Sequence, residues 1–472
     1  MNVIEAIKDP NLLGSFLGDD LDSWRPWHTA LRVLYGLDVW SEEARALVQQ
    51  CTGRDPDLMP EAGFDVAEFL TGRRSGKSRI AAIVGAFESL FAGHDRKLAK
   101  GERGLVAVLA PTKKQAGIVH GYLRGIFDAP LLRGEVIAET ADGFDLKNGL
   151  SVVVLAGDWR TIRGFTLVCV VIDEAAFFGL SEESKVKSDT ELIRAVRPGL
   201  ATTKGRLIVI SSPYARRGWC FTTHQKNFGN NAGTVLVWNA PSRVMNPTLP
   251  QSVVDAALAE DLAAAMSEYL GEFRDDIGAY VSRELVEAAV VRGRTEISPS
   301  RGVRYSAFVD MSGGRNDDAA LAIGHRTQRK VVIDFTKRYR PPFNPHAVIG
   351  EMAEELKRYG LRQVQGDNYA ADYTVSAFAS YGIRFIRSEK PRSALYLELL
   401  PRICSGEVEL LDDEVLVGQI ASLERRTRSG GKDIIDHPPG GHDDIANSVA
   451  GVTDIAAAPR RIVGAISDNP EQ

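Results

Sequence analysis

The chain has 472 residues, of which 44% are hydrophobic and 25% charged, and its formal net charge is −5. This length allows two or three domains with cores of their own, and the composition is that of a globular protein. No apolar run approaches the ~18 residues that span a bilayer, and the N-terminus lacks the apolar segment of a signal peptide, so we expect a cytoplasmic protein.

Four widely separated cysteines without metal-ligand spacing favour a reducing compartment and no structural zinc. The acidic balance argues against a uniformly basic nucleic-acid surface, and we interpret single basic clusters, such as Arg387 to Arg392, as solvated faces.

Residues 1–60 have a mostly helical pattern and contain an aromatic segment, Trp24 to His28. This segment is either a packed cap or a border for a purine base, which favours aromatic and apolar surface. From Val66 to about Val237 strands alternate with helices, and the pattern predicts a mainly parallel sheet covered on both faces. Asp142-Gly143 and Asn148-Gly149 are hairpin signals within this region and predict a small antiparallel insertion.

A glycine-containing loop joins the first predicted strand, ending at Leu70, to a helical pattern over Ile80 to Phe91. Backbone N–H groups of such a loop, together with the dipole of the helix that follows, bind phosphate. Lys77 is then expected to reach the outer phosphates, and the Ser78 hydroxyl to bind Mg²⁺. The loop departs from the usual P-loop, since three residues rather than four separate its glycines. The predicted nucleotide-binding residues are Gly72, Arg73, Arg74, Ser75, Gly76, Lys77 and Ser78.

Two acids, Asp173 and Glu174, follow an apolar, β-branched run over residues 167–172 that is typical of a central parallel strand. The carboxyl ends of such strands line the ligand crevice of an open α/β sheet. We therefore expect Asp173 to support the Mg²⁺ shell and Glu174 to polarise the attacking water, unless both are simply solvated. Ser211 and Ser212 end the next buried strand, where they either terminate it or sense the γ-phosphate.

A second α/β pattern begins at Arg301, after a proline-containing linker and an alanine-rich, helical stretch from Ser252 to Phe273. We predict four parts: a P-loop ATPase domain with an N-terminal helical cap over residues 1–240, a linker or lid over 241–300, a ribonuclease H-like domain with a mixed sheet over 301–455, and a tail over 456–472.

Acids in this second region fall at a strand end or a helix start: Asp310, Asp367, and the pair Asp443 and Asp444. The order of a strand, a meander, a helix, a strand and a late helix is that of a ribonuclease H-like fold. In that fold such acids meet and hold two divalent ions that activate water and stabilise the leaving oxygen of a phosphodiester. Carboxylates suit Mg²⁺ and Mn²⁺, although each acid alone is better explained as a cap or turn residue.

The chain resembles the large subunit of a tailed-phage DNA-packaging terminase over most of its length. The resemblance depends on the order of seven segments: Gly-Arg-Arg-Ser-Gly-Lys-Ser (72–78), Ala-Pro-Thr-Lys-Lys-Gln-Ala (110–116), Ile-Arg-Gly-Phe (162–165), Val-Ile-Asp-Glu-Ala-Ala (171–176), Ile-Ser-Ser-Pro (210–213), Glu-Tyr-Leu-Gly-Glu-Phe (268–273) and Gly-His-Asp-Asp-Ile-Ala-Asn (441–447).

The resemblance implies roles for individual residues. Arg73 would approach the phosphates from within a variant P-loop, and Arg163 would be a candidate arginine finger for the neighbouring subunit's nucleotide. Ser211 and Ser212 match the coupling motif. His28 stands where members often carry a glutamine near the adenine. The nuclease acids would be Asp310, Asp367 and Asp443, with Asp444 as an additional ligand.

The resemblance also implies ATP and Mg²⁺ as cofactors, with Mn²⁺ possible at the nuclease site. The implied partners are double-stranded DNA, the portal protein, the small terminase subunit and further copies of the chain in a ring on the portal, with a monomer possible in solution. Two other readings fit the residues: an ATP-driven translocase or helicase-like ATPase whose second domain only clamps DNA, and a repair or recombination nuclease with an ATPase switch.

Overall fold

A computed structural model describes residues 1–39, 41–156, 162, 164–180, 186, 188–315, 317–367, 372–427 and 433–457. The chain forms two compact units, Met1–Ile277 and Gly278–Gln472, which we describe separately. Within the described residues, no helix combines the length and the apolar character that crossing a membrane requires.

The first unit is built on one eight-stranded sheet. Its strands are β1 (Val66–Thr71), β2 (Gly104–Ala110), β3 (Val136–Thr140), β4 (Gly143–Leu146), β5 (Leu150–Ala156), β6 (Thr166–Asp173), β7 (Arg206–Ser211) and β8 (Val235–Ala240). Their order in the sheet is β3-β4-β5-β2-β6-β7-β1-β8. The pairs from β5 through β8 are all parallel, whereas β4 runs antiparallel to both of its neighbours. The prediction of a mainly parallel sheet is confirmed.

Helices cover both faces of this sheet. They are α1 (Val3–Lys8), α2 (Gly14–Leu17), α3 (Arg25–Leu34), α4 (Glu42–Thr52), α5 (Lys77–Leu90), α6 (Lys113–Phe127), α7 (Asp189–Ala201), α8 (Gly218–Asn227), α9 (Ser242–Met245), α10 (Gln251–Glu260) and α11 (Leu262–Ala265). Alternate residues of β1 enter different cores, because successive side chains of a strand point to opposite faces. Phe69 packs in the core that contains residues of α3, α5 and α6, and Leu70 packs in the core that contains residues of α7 and α8.

Two sequence predictions need correction in this unit. The antiparallel pairing predicted after Arg133 is confirmed, but these strands are part of the main sheet, because β5 pairs in parallel with β2. The helix predicted from Ser252 to Phe273 is broken. Asp261 ends α10 and caps α11 with its side chain, and Gly271, at φ +78°, ends the π-helical turn Met266–Leu270.

The chain passes from the first unit to the second at β9 (Ile277–Ala279). The strands that follow are β10 (Tyr305–Asp310), β11 (Ala319–Arg326), β12 (Val331–Tyr339), β13 (Gln363–Gly366), β14 (Arg384–Arg387), β15 (Val408–Glu409), β16 (Glu424–Thr427) and β17 (Asp433–Asp436). The first six of these form a mixed sheet in the order β14-β13-β10-β11-β12-β15, and β16 and β17 pair as an antiparallel hairpin. An antiparallel meander of β10, β11 and β12 continues through parallel β13 and β14. This is the strand order expected of a ribonuclease H-like fold.

The helices of this unit are α12 (Arg283–Ala288), α13 (Pro345–Arg358), α14 (Asp372–Ser380), α15 (Arg392–Ser405), α16 (Glu414–Ser422) and α17 (Asp444–Ala457). Helix α17 packs unusually close to the sheet. The ring of Phe308 on β10 lies directly over the Cα of Gly451, where a side chain would overlap it, and the Ser448 hydroxyl donates a hydrogen bond to the Ala320 carbonyl. This close packing fixes the start of α17 at the end of β10.

Candidate functional site

A cleft of about 770 Å³ borders the glycine-containing loop of the first unit. This volume lies within the range of small-molecule sites. Its lining includes residues 73–79, Ser23, Trp24, Ile118, Tyr122, Glu174, Met245, Asn246, Thr248 and Tyr269. Because β7 lies between β6 and β1, the ends of these three neighbouring strands bring the predicted residues of separate motifs together.

Two tryptophans shape the glycine-containing loop. Gly76 has φ +93°, and a Cβ there would lie 2.7 Å from the Trp24 ring, so only glycine fits this position. The fully buried Trp27 donates a hydrogen bond from Nε1 to the Ser75 carbonyl at 2.5 Å. Trp27 is therefore core, as expected of a packed cap, whereas Trp24 lines the cleft. Burial lowers the pKa of His28 to about 4, so its imidazole is neutral near pH 7.

Lys77 is the first residue of α5, and its buried ammonium is held by both the loop and β7. Its Nζ donates to the carbonyls of Thr71 and Gly72, each at 3.0 Å, and to the Ser212 hydroxyl at 2.9 Å. The carboxylate of Glu174 lies 3.9 Å from the same Nζ. The ammonium thus occupies the junction between the predicted phosphate loop, the coupling segment and the predicted catalytic acid.

Asp173 is 1% exposed at the end of β6. Burial, together with the charge of Glu174, raises the pKa of the Asp173 carboxyl above its usual range, while a hydrogen bond from the Ser78 hydroxyl and the charge of Lys77 oppose this rise. A divalent cation beside Ser78 and Asp173 would favour the charged carboxylate. Glu174 adopts the left-handed region at φ +52°, which is uncommon for a residue with a side chain. This turn lets Glu174 line the cleft directly after a buried strand.

The two serines at the end of β7 have different partners. Ser212 donates to the Thr71 carbonyl at 3.2 Å and accepts from Lys77. The Ser211 hydroxyl oxygen accepts from the backbone N–H of Ala176 at 3.1 Å. One serine therefore contacts the predicted phosphate loop, and the other contacts the segment that follows Glu174.

Arg73 and Arg74, two of the three predicted arginines, have different partners in the described structure. Arg73 forms an ion pair with Glu268, with 2.8 Å between Nη2 and Oε1. The carbonyl of Arg74 accepts a hydrogen bond from the Asn246 amide at 2.7 Å. Arg163 lies outside the described residues. Neither Glu268 nor Asn246 was predicted to border the loop. Glu268 begins the segment Glu-Tyr-Leu-Gly-Glu-Phe, whereas no local motif marks Asn246.

The other acids predicted to bind metal in the second unit, Asp367, Asp443 and Asp444, lie near Asp310. Burial raises the pKa of Asp310 to about 8, and the charges of Asp444, Asp443 and Asp367 raise it further, whereas a hydrogen bond from Asn447 opposes the rise. The Asn447 amide donates to Asp310 Oδ2 at 2.7 Å. Asp367 directly follows β13, and β13 pairs in parallel with β10. The predicted acids from three separate segments are thus close enough to act on one another electrostatically.

Both carboxylate oxygens of Asp443 already have partners. Oδ1 accepts from Arg392 Nη1 at 2.9 Å, and Oδ2 accepts from the Tyr396 hydroxyl at 2.8 Å. The same guanidinium reaches Asp436 through Nη2 at 3.0 Å. Burial raises the pKa of Asp443, although the charge of Arg392 works in the opposite direction. From the sequence, Arg392 was expected only as part of a solvated basic face, and no pattern indicated a role for Tyr396.

The acid cluster suits a hard divalent cation in its chemistry, because every predicted ligand is a carboxylate. In its present arrangement, however, no three His, Cys, Asp or Glu side chains among the described residues are gathered closely enough to hold a metal ion. Asp444, at the start of α17, lies 3.9 Å from His442, and Asp443 is held by Arg392 and Tyr396. A cation bound by three of these carboxylates would therefore require side chains to move.

Several solved structures are similar to this chain, and they are phage large terminases. The large terminase of bacteriophage HK97 matches over 92% of this chain and 100% of its own, with 15% identity and a TM-score of 0.39. A large terminase from a thermophilic bacteriophage matches over 90% and 98%, with 12% identity and a TM-score of 0.39. The magnesium-bound large terminase nuclease of a second thermophilic phage, G20c, matches over 38% of this chain and 98% of its own, with 15% identity and a TM-score of 0.33. No family model and no curated protein matches the sequence.

Proposed function

We propose that this chain is the large subunit of a phage-type DNA-packaging terminase, an ATPase and a metal-dependent DNA endonuclease in one polypeptide. The observation that carries the proposal is the first-unit cleft, where Lys77, Ser78, Asp173 and Glu174 meet at neighbouring strand ends. The order of the seven sequence segments supports the family resemblance, and the acids around Asp310 support the nuclease half.

In the ATPase half, Lys77 would exchange its bonds to the loop carbonyls for bonds to the outer phosphates of ATP. Mg²⁺ bound by Ser78 and Asp173 would neutralise charge on the phosphates. Glu174 would orient and polarise the attacking water. Loss of the γ-phosphate would return Lys77 to Ser212, which links the reaction to the end of β7.

In the nuclease half, Asp310, Asp367, Asp443 and Asp444 would hold divalent cations, Mg²⁺ or Mn²⁺. Such cations activate water and stabilise the leaving oxygen of a phosphodiester. Asn447 would orient Asp310 through the hydrogen bond seen in the structure. The ribonuclease H-like strand order supports this assignment, because Asp310 and Asp367 end adjacent parallel strands.

The proposed biological role is translocation of double-stranded DNA into a preformed capsid in the host cytoplasm, with cutting of the DNA concatemer by the second unit. A ring of copies on the portal, assisted by a small terminase subunit, would place Arg163 of one copy near the nucleotide of the next. The four-part division of the chain, with residues 241–300 as a linker or lid, belongs to the same proposal.

One observation favours a second candidate, an ATP-driven DNA translocase whose second unit is a clamp without catalysis. Both carboxylate oxygens of Asp443 accept hydrogen bonds from protein groups, Arg392 and Tyr396. The two candidates differ in one measurable property, since only the terminase requires metal-dependent DNA cleavage that is lost on substitution of Asp310.

The experiment that tests the shared ATPase is steady-state ATP hydrolysis by the full chain with double-stranded DNA, comparing wild type with Lys77→Ala and Glu174→Gln. We expect Glu174→Gln to reduce kcat by about 10²–10⁴ while nucleotide binding persists, because it removes the general base alone. Lys77→Ala should impair both binding and turnover. Lys97→Ala is the matched control, since Lys97 bonds the Thr203 carbonyl and does not line the cleft. Full turnover in Glu174→Gln would contradict the proposal.

A further inference from the structure

Arg392 belongs to a basic stretch of sequence, but its guanidinium pairs with an acid of the proposed metal cluster. It is the first residue of α15, and its guanidinium joins two acids, Asp443 at 2.9 Å and Asp436 at 3.0 Å. The arginine side chain is 36% exposed, whereas that of Asp443 is only 4% exposed. The partly exposed guanidinium of Arg392 thus neutralises the buried carboxylate of Asp443, which belongs to the proposed metal cluster.

Tyr396 completes the arrangement from the same face of α15. It lies four residues after Arg392, a spacing that places two side chains side by side on a helix. Its hydroxyl donates to the second oxygen of Asp443 at 2.8 Å, and its carbonyl accepts from the Tyr280 hydroxyl at 2.6 Å. Because Tyr396 is fully buried and held in this way, it fixes the direction in which Asp443 points.

The start of α15 also holds the hairpin strand β17. The Ser393 hydroxyl oxygen accepts from the Ile435 N–H at 2.8 Å, next to the pairing of Arg392 with Asp436. Arg392 therefore connects the hairpin to the acid cluster through one guanidinium. A displacement of that guanidinium from Asp443 would leave it paired with Asp436.

A guanidinium and a divalent cation would compete for the same Asp443 carboxylate. The arginine occupies one oxygen through a charge-assisted hydrogen bond, and Tyr396 occupies the other. A cation that takes Asp443 as a ligand must displace at least one of these donors, and it is repelled by the arginine charge as it approaches. The two cations are therefore expected to exclude one another at this carboxylate.

We propose that Arg392 is a positioning residue that holds the Asp443 carboxylate in an ion pair, so that a divalent cation binds the cluster through Asp443 only when the guanidinium leaves it. This inference rests on the proposed nuclease function, and it adds a built-in restraint on metal loading. Arg392 would act through Asp443, with no contact of its own to the reacting atoms.

The test is Mn²⁺ binding to the full chain, without DNA or nucleotide, followed by the electron paramagnetic resonance signal of free Mn²⁺. Wild type is compared with Arg392→Gln, Tyr396→Phe and Asp310→Asn. The matched control is Arg402→Gln, because Arg402 lies on the same helix but pairs with Glu407. Circular dichroism and thermal unfolding of each variant establish that it is folded.

We expect Arg392→Gln to tighten Mn²⁺ binding by about tenfold, the effect of losing one charge-assisted competitor at a partly exposed site. Tyr396→Phe should tighten binding by a smaller factor, and Arg402→Gln should leave the Kd unchanged. A merely structural role for Arg392 would lower stability without tightening the binding of Mn²⁺.

Two results would overturn the inference, and they are distinguishable. If wild type and Arg392→Gln bind Mn²⁺ equally, or the variant binds more weakly, while Asp310→Asn abolishes binding, the cluster is a metal site but Arg392 does not restrain it. If no variant binds Mn²⁺ at millimolar concentration, the proposed metal-dependent nuclease fails together with the inference.

Discussion

Replacing Gly451 by alanine should destabilise the second unit, because α17 contacts the sheet at this glycine. A Cβ at position 451 would overlap the Phe308 ring. Its three nearest neighbours would all be ring atoms, and even the farthest of these, Cε2, would lie only 2.6 Å away. Phe308 is 1% exposed on β10 and packs in the core of this unit. The helix must therefore shift away from the strand, and this shift would move Asn447 from Asp310.

The change in the free energy of unfolding depends on two opposing contributions, helix propensity and overpacking of the core. Alanine is a better helix former than glycine by about 1 kcal/mol in a helix interior. Overpacking a close-packed core costs about 1–3 kcal/mol, and a rigid aromatic ring places Gly451 at the upper end of that range. The net expectation is a loss of about 2 kcal/mol in the free energy of unfolding.

The matched control is Gly418→Ala in the interior of α16, where the nearest atom to a new Cβ is the Arg283 guanidinium at 4.0 Å. This variant should gain about 1 kcal/mol, because only the helix-propensity term applies. Urea unfolding of the full chain, with hydrogen exchange of the α17 amides reporting on the second unit, separates the two. A Gly451→Ala variant at least as stable as wild type would refute the packing argument.

Two further predictions concern buried carboxyl groups of the first unit. Burial would raise the pKa of Glu88, but hydrogen bonds from His94 and Tyr35 and the charge of Arg206 together lower it below its ordinary value of 4.5. Wild type should therefore lose stability as the pH falls from 4.5 through that lowered pKa. In urea unfolding, the Glu88→Gln variant should not show this loss. If the stabilities of wild type and Glu88→Gln change with pH in parallel, the assignment is contradicted. Burial instead raises the pKa of Glu68 well above 4.5, so the folded state keeps a proton that the unfolded state releases. Glu68→Gln should therefore gain stability relative to wild type above pH 4.5, by up to about 1.4 kcal/mol per pH unit, and a difference that does not change with pH would refute this prediction.

The elements that were predicted correctly are those whose signals are local. The strand before Gly72, the helix after Gly76 and the acids at the ends of apolar runs are each marked by residues within about ten positions. The parallel sheet follows from the same alternation, and the ribonuclease H-like strand order follows from the meander after Asp310. Such signals need no knowledge of what packs against them.

The predictions that failed depended on competing signals or on distant contacts. The alanine-rich pattern after Ser252 favoured one long helix, but the capping side chain of Asp261 and the left-handed backbone of Gly271 divide it. Arg392 was interpreted as part of a solvated face, and the structure instead pairs it with Asp443, 51 positions away. No pattern in a single sequence shows which arginine of a basic stretch meets a particular acid.

The Trp27 contact to the glycine-containing loop was missed for the same reason, because it joins residues that are distant in sequence. Its indole N–H meets the Ser75 carbonyl 48 positions along the chain, because α3 packs beside the start of α5. The sequence indicated an aromatic segment near a nucleotide, but not which tryptophan supports the loop and which lines the cleft. That division depends on tertiary packing alone.

The most direct test of the proposed function is conversion of supercoiled plasmid to nicked and linear forms by the full chain with Mn²⁺ or Mg²⁺, comparing wild type with Asp310→Asn. Asp317→Asn is the matched control, an exposed turn acid outside the proposed cluster. The account predicts that wild type and Asp317→Asn cut DNA and that Asp310→Asn does not, while all three hydrolyse ATP at similar rates. An inert wild type, or an Asp310→Asn variant that cuts as fast as wild type, would contradict the nuclease assignment and leave an ATP-driven translocase.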